Sequence, residues 1–393
     1  MKHHTQPNRP RAFALAAITI AAMTVTGCGN SLAQTDAAAE TVKVGLVVPT
    51  SGVYEPLGVD MTNGFQLYLD QHDGKLGGKS VELVKADEGD GPDTGVPAVN
   101  KVILQDGVSV VVGIVNSATA LGVKESVAQA QVPLIIANAG ANDVADGSDY
   151  VWRTSFANGA VGASLGEEVA AQVDGPVYVI AADYAAGHEF AGGFIDAFEA
   201  AGGTIAGESY TPFGTTSDWQ PFLTQAQNSG AKAVFAFYAG AEAVNFVKQY
   251  SQFGLAGTLP LYAPGFLTEG GVLVAQGAEA VGILTSLHYS DLLDSPENEA
   301  FVAAYVEAYD TPPTVYSVQA YDAAAVLDLA LADVDEVDGE SIQQALHGIG
   351  AIASPRGEWS FDEQHNPDQP YFLREVESVD GANRNVVLRT LTE

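Results

Sequence analysis

The sequence predicts an α/β protein built as two doubly wound, parallel-sheet lobes lying side by side. Three observations carry this. From residue 42 onward, short apolar runs alternate with longer amphipathic stretches, the pattern of strands joined by covering helices. The alternation runs twice, over residues 42–154 and again over 176–280. The chain is also too long for one hydrophobic core and suits about two domains.

The elements follow in order. Strand-like runs are Val42–Val48, Val81–Lys85, Val108–Gly113, Pro133–Ala137, Val177–Ala181, Gly203–Ser209, Ala233–Tyr238 and Leu259–Ala263. Between them lie helical stripes. Met61, Phe65, Tyr68, Leu69 and His72 make one, and Val244, Phe246, Val247 and Tyr250 make another. Two more helical patterns cover 295–309 and 315–331. The tail is strand-like, with Trp359-Ser360-Phe361, Tyr371–Val376 and Val386–Leu391.

Ahead of the lobes, Lys2, Arg9 and Arg11 precede an apolar run from Ala12 to Val25, which is too short to span a bilayer stably. Thr24-Val25-Thr26-Gly27-Cys28 then places small residues before the chain's one cysteine. This reads as a secretory signal over residues 1–27, and the small residues before Cys28 resemble the lipobox of bacterial lipoproteins. Cys28 is then the acylated first residue of the exported chain, held to a membrane by its lipid. Residues 28–40, small and polar, read as a flexible tether. A single cysteine allows no internal disulfide, so the lobes must hold by packing alone.

The formal net charge is −33, and the first 27 residues contain no acid, so the exported part is more acidic still. Such a surface excludes nucleic acid and anionic lipid as partners. It says little about a pocket, because salt screens charge over about 8 Å.

In doubly wound sheets, ligands sit beyond the carboxyl ends of the strands. Six loops therefore matter most. In the first lobe they contain Ser51 and Tyr54, then Asn116 and Ser117, then Asn138, Ala139, Gly140 and Asn142. In the second they contain Tyr184, Tyr238 and Phe266. Any one of these loops reads as ordinary strand-to-helix turn chemistry. Together they place small residues and hydroxyls, which suit an anion, opposite aromatics, which make flat walls.

Other motifs fail on context. Gly162-Ala163-Ser164-Leu165-Gly166 matches a nucleophile elbow, but no strand precedes it and a helical pattern continues it, so Ser164 is expected in the first turns of a helix rather than in a hydrolase site. Gly77-Gly78-Lys79-Ser80 lacks the first glycine of a P-loop and leads into a strand. The acidic run from Asp87 to Asp93 lacks the ligand spacing of a calcium loop and reads as a solvated loop. His72, His188, His288, His347 and His365 show no metal spacing, and no cofactor is expected.

Taken together, the rim loops resemble those of the solute-binding proteins of branched-chain amino-acid type importers. The resemblance covers about 41–390. It rests on Val44–Gly52, Asn63-Gly64, Asp87–Asp90, Val111–Gly113, Pro133–Ile135, Trp152–Thr154, Asp183–Gly187 and Tyr316–Ala323. It implies a type I periplasmic-binding-protein fold, with lobes of residues 41–154 plus 286–355 and 155–285 plus 356–393. Three crossover segments would join them as a hinge that closes on ligand. It implies a monomer that captures a small molecule for an ABC permease and performs no catalysis. By the resemblance, Ser117 holds a ligand carboxylate, Gly140 and Asn142 lie in a loop that adds contacts, Tyr184 faces the cleft, and Arg153 is a structural residue at the lobe junction. Where the family has an acid facing the ligand's ammonium, this chain has Phe266, with Glu269 slightly beyond. A buried ammonium without a carboxylate is costly. Two ligand classes follow: an aromatic or other organic acid, or an amino acid if Glu269 reaches in. The same fold could also serve a separate sensory receptor.

Overall fold

The structure, a computed structural model, describes residues 40–391. Cys28, the signal segment and most of the tether lie outside the described residues.

The first lobe is a six-stranded sheet: β1 (Thr41–Val48), β2 (Lys75–Leu76), β3 (Lys79–Asp87), β4 (Val110–Gly113), β5 (Leu134–Ile136) and β6 (Val151–Arg153). Their order is β2-β3-β1-β4-β5-β6, parallel throughout except for the short β2–β3 hairpin. The chain leaves β1 for β3 on one side and later returns to β4 on the other. The loops after β1 and β4 therefore splay apart at a switch point.

The second lobe holds β7 (Val177–Asp183), β8 (Ile205–Pro212), β9 (Ala233–Phe237), β10 (Leu261–Pro264) and β11 (Leu284–Leu287), all parallel. A small hairpin follows, β12 (Ser360–Phe361) with β13 (Pro367–Asp368), and then β14 (Tyr371–Val379) and β15 (Ala382–Leu391). β14 and β15 close one edge of the second sheet antiparallel, giving the order β15-β14-β11-β10-β9-β7-β8. Here the switch point falls between β7 and β9.

Strand parity separates the cores. Val42, Val44, Leu46 and Val48 face the helices Glu55–Gln71 and Val315–Ala332, whereas Val47 faces Pro92–Leu104 and Ser117–Ala130. In the second lobe, the even residues of β9 bury against Phe246 and Trp219, and the odd ones against Phe190 and Phe194. The stripes expected from the sequence bury as helix faces, with two exceptions. Val244 is only half-buried. His72 lies just past its helix, its ring stacked on Tyr68 at 4.1 Å. Proline occupies the first turn of the helices at 55–71, 92–104, 220–228 and 296–309, where its missing N–H costs no bond.

The chain passes between the sheets three times: after β6, after β11, and ahead of β14. Arg356 ties the first and third of these passages to the helix Val315–Ala332. Its Nε meets Asp322 Oδ2 at 2.7 Å, and its guanidinium reaches the Ser155 carbonyl and Gln369. Gln369 in turn donates to the Ser155 carbonyl. Arg356 and Asp322 are both fully buried. Removing either alone would strand the other's charge, at a cost of about 3–5 kcal/mol.

Candidate functional site

The strand ends of the two sheets face each other across a cleft, and the first lobe's loops there are braced by three acids, Glu88 buried and Asp87 and Asp90 exposed. Asp87, at the end of β3, accepts from Thr50 N at 2.8 Å, Ser51 Oγ at 2.6 Å and Gly89 N at 2.9 Å. Those bonds hold its carboxyl down at about 2. Asp90 accepts from Val53 N at 2.7 Å. Glu88 is fully buried and accepts from Val115 N at 2.8 Å and Asn116 N at 2.9 Å. Desolvation outweighs those bonds and pushes its carboxyl up to about 7. Within the acidic stretch Glu88 alone turns inward, whereas Asp87, Asp90 and Asp93 stay exposed, as a solvated loop would have them. Asp87, Glu88 and Asp90 each accept from backbone N–H groups of the neighbouring loops.

This bracing leaves few donors at the first lobe's rim. Asn116 caps the helix Ser117–Ala130: its Oδ1 accepts from Ala118 N and Thr119 N, and its Nδ2 donates to Asp90 O. Ala139 N donates to Ile114 O, Ala141 N to Ser117 Oγ, and Asn142 N to Glu189. Among the described residues, Ser117 N, Gly140 N and the Ser117 hydroxyl proton keep no such partner, and they lie on adjoining loops. Arg153, fully buried, supports that second loop from behind. It donates to the carbonyls of Ala141 and Asn142 and to Asn366, and burial brings its guanidinium down to about 10.

The other expected polar residues act as supports. Ser51 spends its hydroxyl on Asp87. Asn138 is buried, donating to Gln319 Oε1 at 2.9 Å, and Gln319 contacts His288 at 3.0 Å. Asn142 accepts from Gly159 N at 2.8 Å. Gly140 runs close over the crossover segment: a Cβ there would stand 2.2 Å from Asn158 Oδ1 and 2.4 Å from Phe156.

The apolar side of the cleft is aromatic. Tyr54 is half-buried where it begins the helix Glu55–Gln71. Tyr184 begins the helix Ala185–Ala200, its ring stacked on Phe213 at 4.2 Å. Phe266 packs on Phe156 at 4.7 Å and lies 6.3 Å from Tyr316. The Tyr184 phenol is raised first by burial and then by Tyr54, and the Tyr316 phenol first by burial, then by Glu269 and Asp60 and after them by Tyr54, so Tyr54 lies near both. Tyr316, absent from the sequence-derived site, joins both lobes' cores at the start of its helix.

Tyr238, expected as a cleft wall, is a correction. It is fully buried, with its hydroxyl 3.1 Å from Thr211 Oγ1 and its ring against Phe246 at 4.5 Å. One residue of strand parity puts Phe237 on the aromatic side instead, stacked on Phe190 at 4.1 Å. Ser164 is a second correction of position. It ends the helix Asn158–Ala163 rather than starting one, and its hydroxyl contacts Val161 O and Ser286 Oγ. A helix precedes it, so the strained strand-to-helix turn of a nucleophile elbow is not formed.

Glu269 decides the chemistry at the base of the cleft. It is buried, and each oxygen already has one partner: one accepts from Val315 N at 2.9 Å, the other meets Arg374 Nη1 at 3.2 Å. Arg374 also holds the Tyr289 carbonyl at 2.8 Å. Burial raises the Glu269 carboxyl while Arg374 lowers it.

Two α/β lobes joined by three crossing segments, with loops at their strand ends that carry free amide donors and aromatic rings, are the architecture of a two-lobed solute-binding protein. The chain belongs to the periplasmic binding protein family, whose model matches residues 41–383. It is similar to Leu/Ile/Val-binding protein homolog 6 of Brucella melitensis, with 32% identity over 358 residues covering 89% of this chain and 91% of that protein. It is also similar to a solute-binding protein of an ABC transporter from R. palustris solved with benzoate. There the identity is 35%, over 90% of this chain and 96% of that one, with a TM-score of 0.81. A third is the solute-binding protein from Rhodopseudomonas palustris BisB5 solved with 3,4-dihydroxybenzoic acid, at 31% identity over 89% and 97% of the chains and a TM-score of 0.83.

Proposed function

We propose that this protein is the exported solute receptor of an ABC importer and that its ligand is an aromatic carboxylate of the benzoate class. The observation that carries the ligand class is Glu269, whose two oxygens are committed to Val315 N and Arg374. An amino acid's ammonium would have to share that carboxylate with Arg374, and Phe266 stands where an apolar body would be met. The carboxylate end would take the Ser117 N–H and hydroxyl and the Gly140 N–H, neutral donors that suit an anion without a salt bridge. The ring would lie among Tyr54, Tyr184, Phe266 and Tyr316. Lobe two then closes over lobe one by rotation about the three crossovers. Benzoate and dihydroxybenzoate in two relatives support this reading. The amino-acid reading is favoured by the Brucella relative's name and by Glu242, which is half-buried near Tyr54 and Tyr184 with Gly214 N on one oxygen.

Calorimetry on the exported chain separates the two. Benzoate and 4-hydroxybenzoate are expected to bind with leucine and isoleucine silent, and small-angle scattering should show a smaller radius of gyration at saturation. Tight leucine binding with silent benzoates would replace the ligand class, and an unchanged radius would count against closure. The lipid anchor is a separate reading, carried by the residues before Cys28 alone. Cys28→Ser should abolish palmitate labelling in cells, and persistent label on that variant would refute it.

A further inference from the structure

We infer that Glu88 is a positioning residue for ligand capture: its buried carboxylate sets the Val115–Asn116 backbone so that the Ser117 N–H and hydroxyl face the ligand. The inference rests on the reading above only in that the ligand carries a carboxylate.

Three placements support it. The turn after β4 is one the chain would not adopt unaided. Ile114 is β-branched and fully buried, yet it has φ of 66°, in the left-handed region that such residues avoid. Strain of this kind persists only where surrounding bonds over-determine it, and the next two N–H groups are those that Glu88 takes. Second, by taking them Glu88 removes the nearest competitors for an anion and leaves Ser117 N–H as the donor presented at the helix start. Asn116 consumes the following two. Third, the same short stretch governs the loop bearing Tyr54. Asp87 and Asp90 hold Thr50, Ser51 and Val53, and Asn116 Nδ2 ties that stretch back to Asp90 O. Gly89, with φ of 65°, lets the backbone turn so that these carboxylates reach two different loops. The ring-side and carboxylate-side loops of the first lobe thus hang from one four-residue segment.

The lobe carries its own control. Asp328 performs the same chemistry at the opposite end of the sheet, accepting from Gly77 N at 2.6 Å and Tyr68 Oη at 3.0 Å, ahead of β3 rather than beyond it. The test is a cycle of Glu88→Gln, Ser117→Ala and the double variant, with Asp328→Asn alongside. Calorimetry uses whichever of benzoate, 4-hydroxybenzoate or isoleucine the wild type binds, and melting is followed in parallel. Glutamine keeps the shape but turns a donor toward one of the two N–H groups. Glu88→Gln is expected to weaken binding about tenfold or more while circular dichroism stays native. Ser117→Ala, costly alone, should cost less than about threefold in the Glu88→Gln background, because the two act through one loop. Asp328→Asn should lower the melting temperature with affinity held within about twofold. Should Glu88→Gln not fold, Glu88→Asp, which draws the carboxylate back by one methylene, takes its place with the same expectation. Affinity within about twofold of wild type, or losses that simply multiply, would overturn the inference while leaving the ligand reading intact. A wild type that binds none of the three probes overturns both.

Discussion

Phe266 and Glu269 stand three residues apart and divide the ligand question between them. Glu269 is paired with Arg374 and bonded by Val315 N–H, so an incoming ammonium would compete with Arg374 for it, although its charge still raises the Tyr316 phenol. Phe266 is 6% exposed and meets Phe156, Phe190 and Tyr316. Phe266→Glu would bring a carboxylate into this aromatic layer, where desolvation penalises it and where it would repel an organic acid. We expect loss of benzoate binding by about a hundredfold or more, against about tenfold for Phe266→Ala, with no gain of leucine. Calorimetry on the two variants checks this, with near-ultraviolet dichroism to confirm that the lobe remains packed. A Glu variant that gains leucine affinity would place the ammonium subsite at 266 and restore the amino-acid reading.

At the scale of elements, the rim was legible because strand ends in a doubly wound sheet must carry the ligand loops, and small, hydroxyl-bearing and aromatic residues cluster after those strands. The division of labour within each loop was not legible. Asn116 and Ser117 look alike as polar residues, yet one caps a helix and the other keeps a free proton, a distinction made by backbone geometry alone. Tyr238 was misplaced because the last residue of a strand belongs to whichever face its parity dictates, and the exit of β9 could be read one residue either way. β11 escaped notice because Ile283–Leu287 mixes Thr and Ser into its apolar run. Those hydroxyls lie inside, with Arg374 Nε 3.3 Å from Thr285 Oγ1 and Ser286 on Ser164. Glu88 was hidden by composition. Within a run of acids, nothing in sequence marks the one that turns inward, although its place immediately after a strand, between two rim loops, was a usable signal.

Over the whole molecule, 49 acids face 16 lysines and arginines, and burial pushes several acids upward. Burial pushes the Glu88 carboxyl up to about 7 and that of Asp60 up to about 6, and Asp322 moves the same way against the pull of Arg356. The sign follows from linkage. A carboxyl whose folded value exceeds its unfolded one binds more protons in the native state. Its stabilising contribution is therefore complete at low pH and is lost as pH rises through the folded value. For Glu88 and Asp60 that window runs from the ordinary carboxylate range up to about 7. Asp87 has the opposite sign, but its contribution is lost only as pH falls toward about 2, below this window. Mutual repulsion among the excess acids acts in the same direction as Glu88 and Asp60, because it grows as carboxyls ionise. The melting temperature of the exported chain should therefore be higher by several degrees at about pH 5 than at about pH 8. Raising salt to about 1 M should narrow the gap without closing it, since salt screens the surface charges but not the buried acids. In Glu88→Gln the gap should shrink further, because one of these linked protons is gone. Scanning calorimetry across that range decides the matter: a melting temperature that climbs toward pH 8 would mean that the buried acids are compensated by partners they do not touch here.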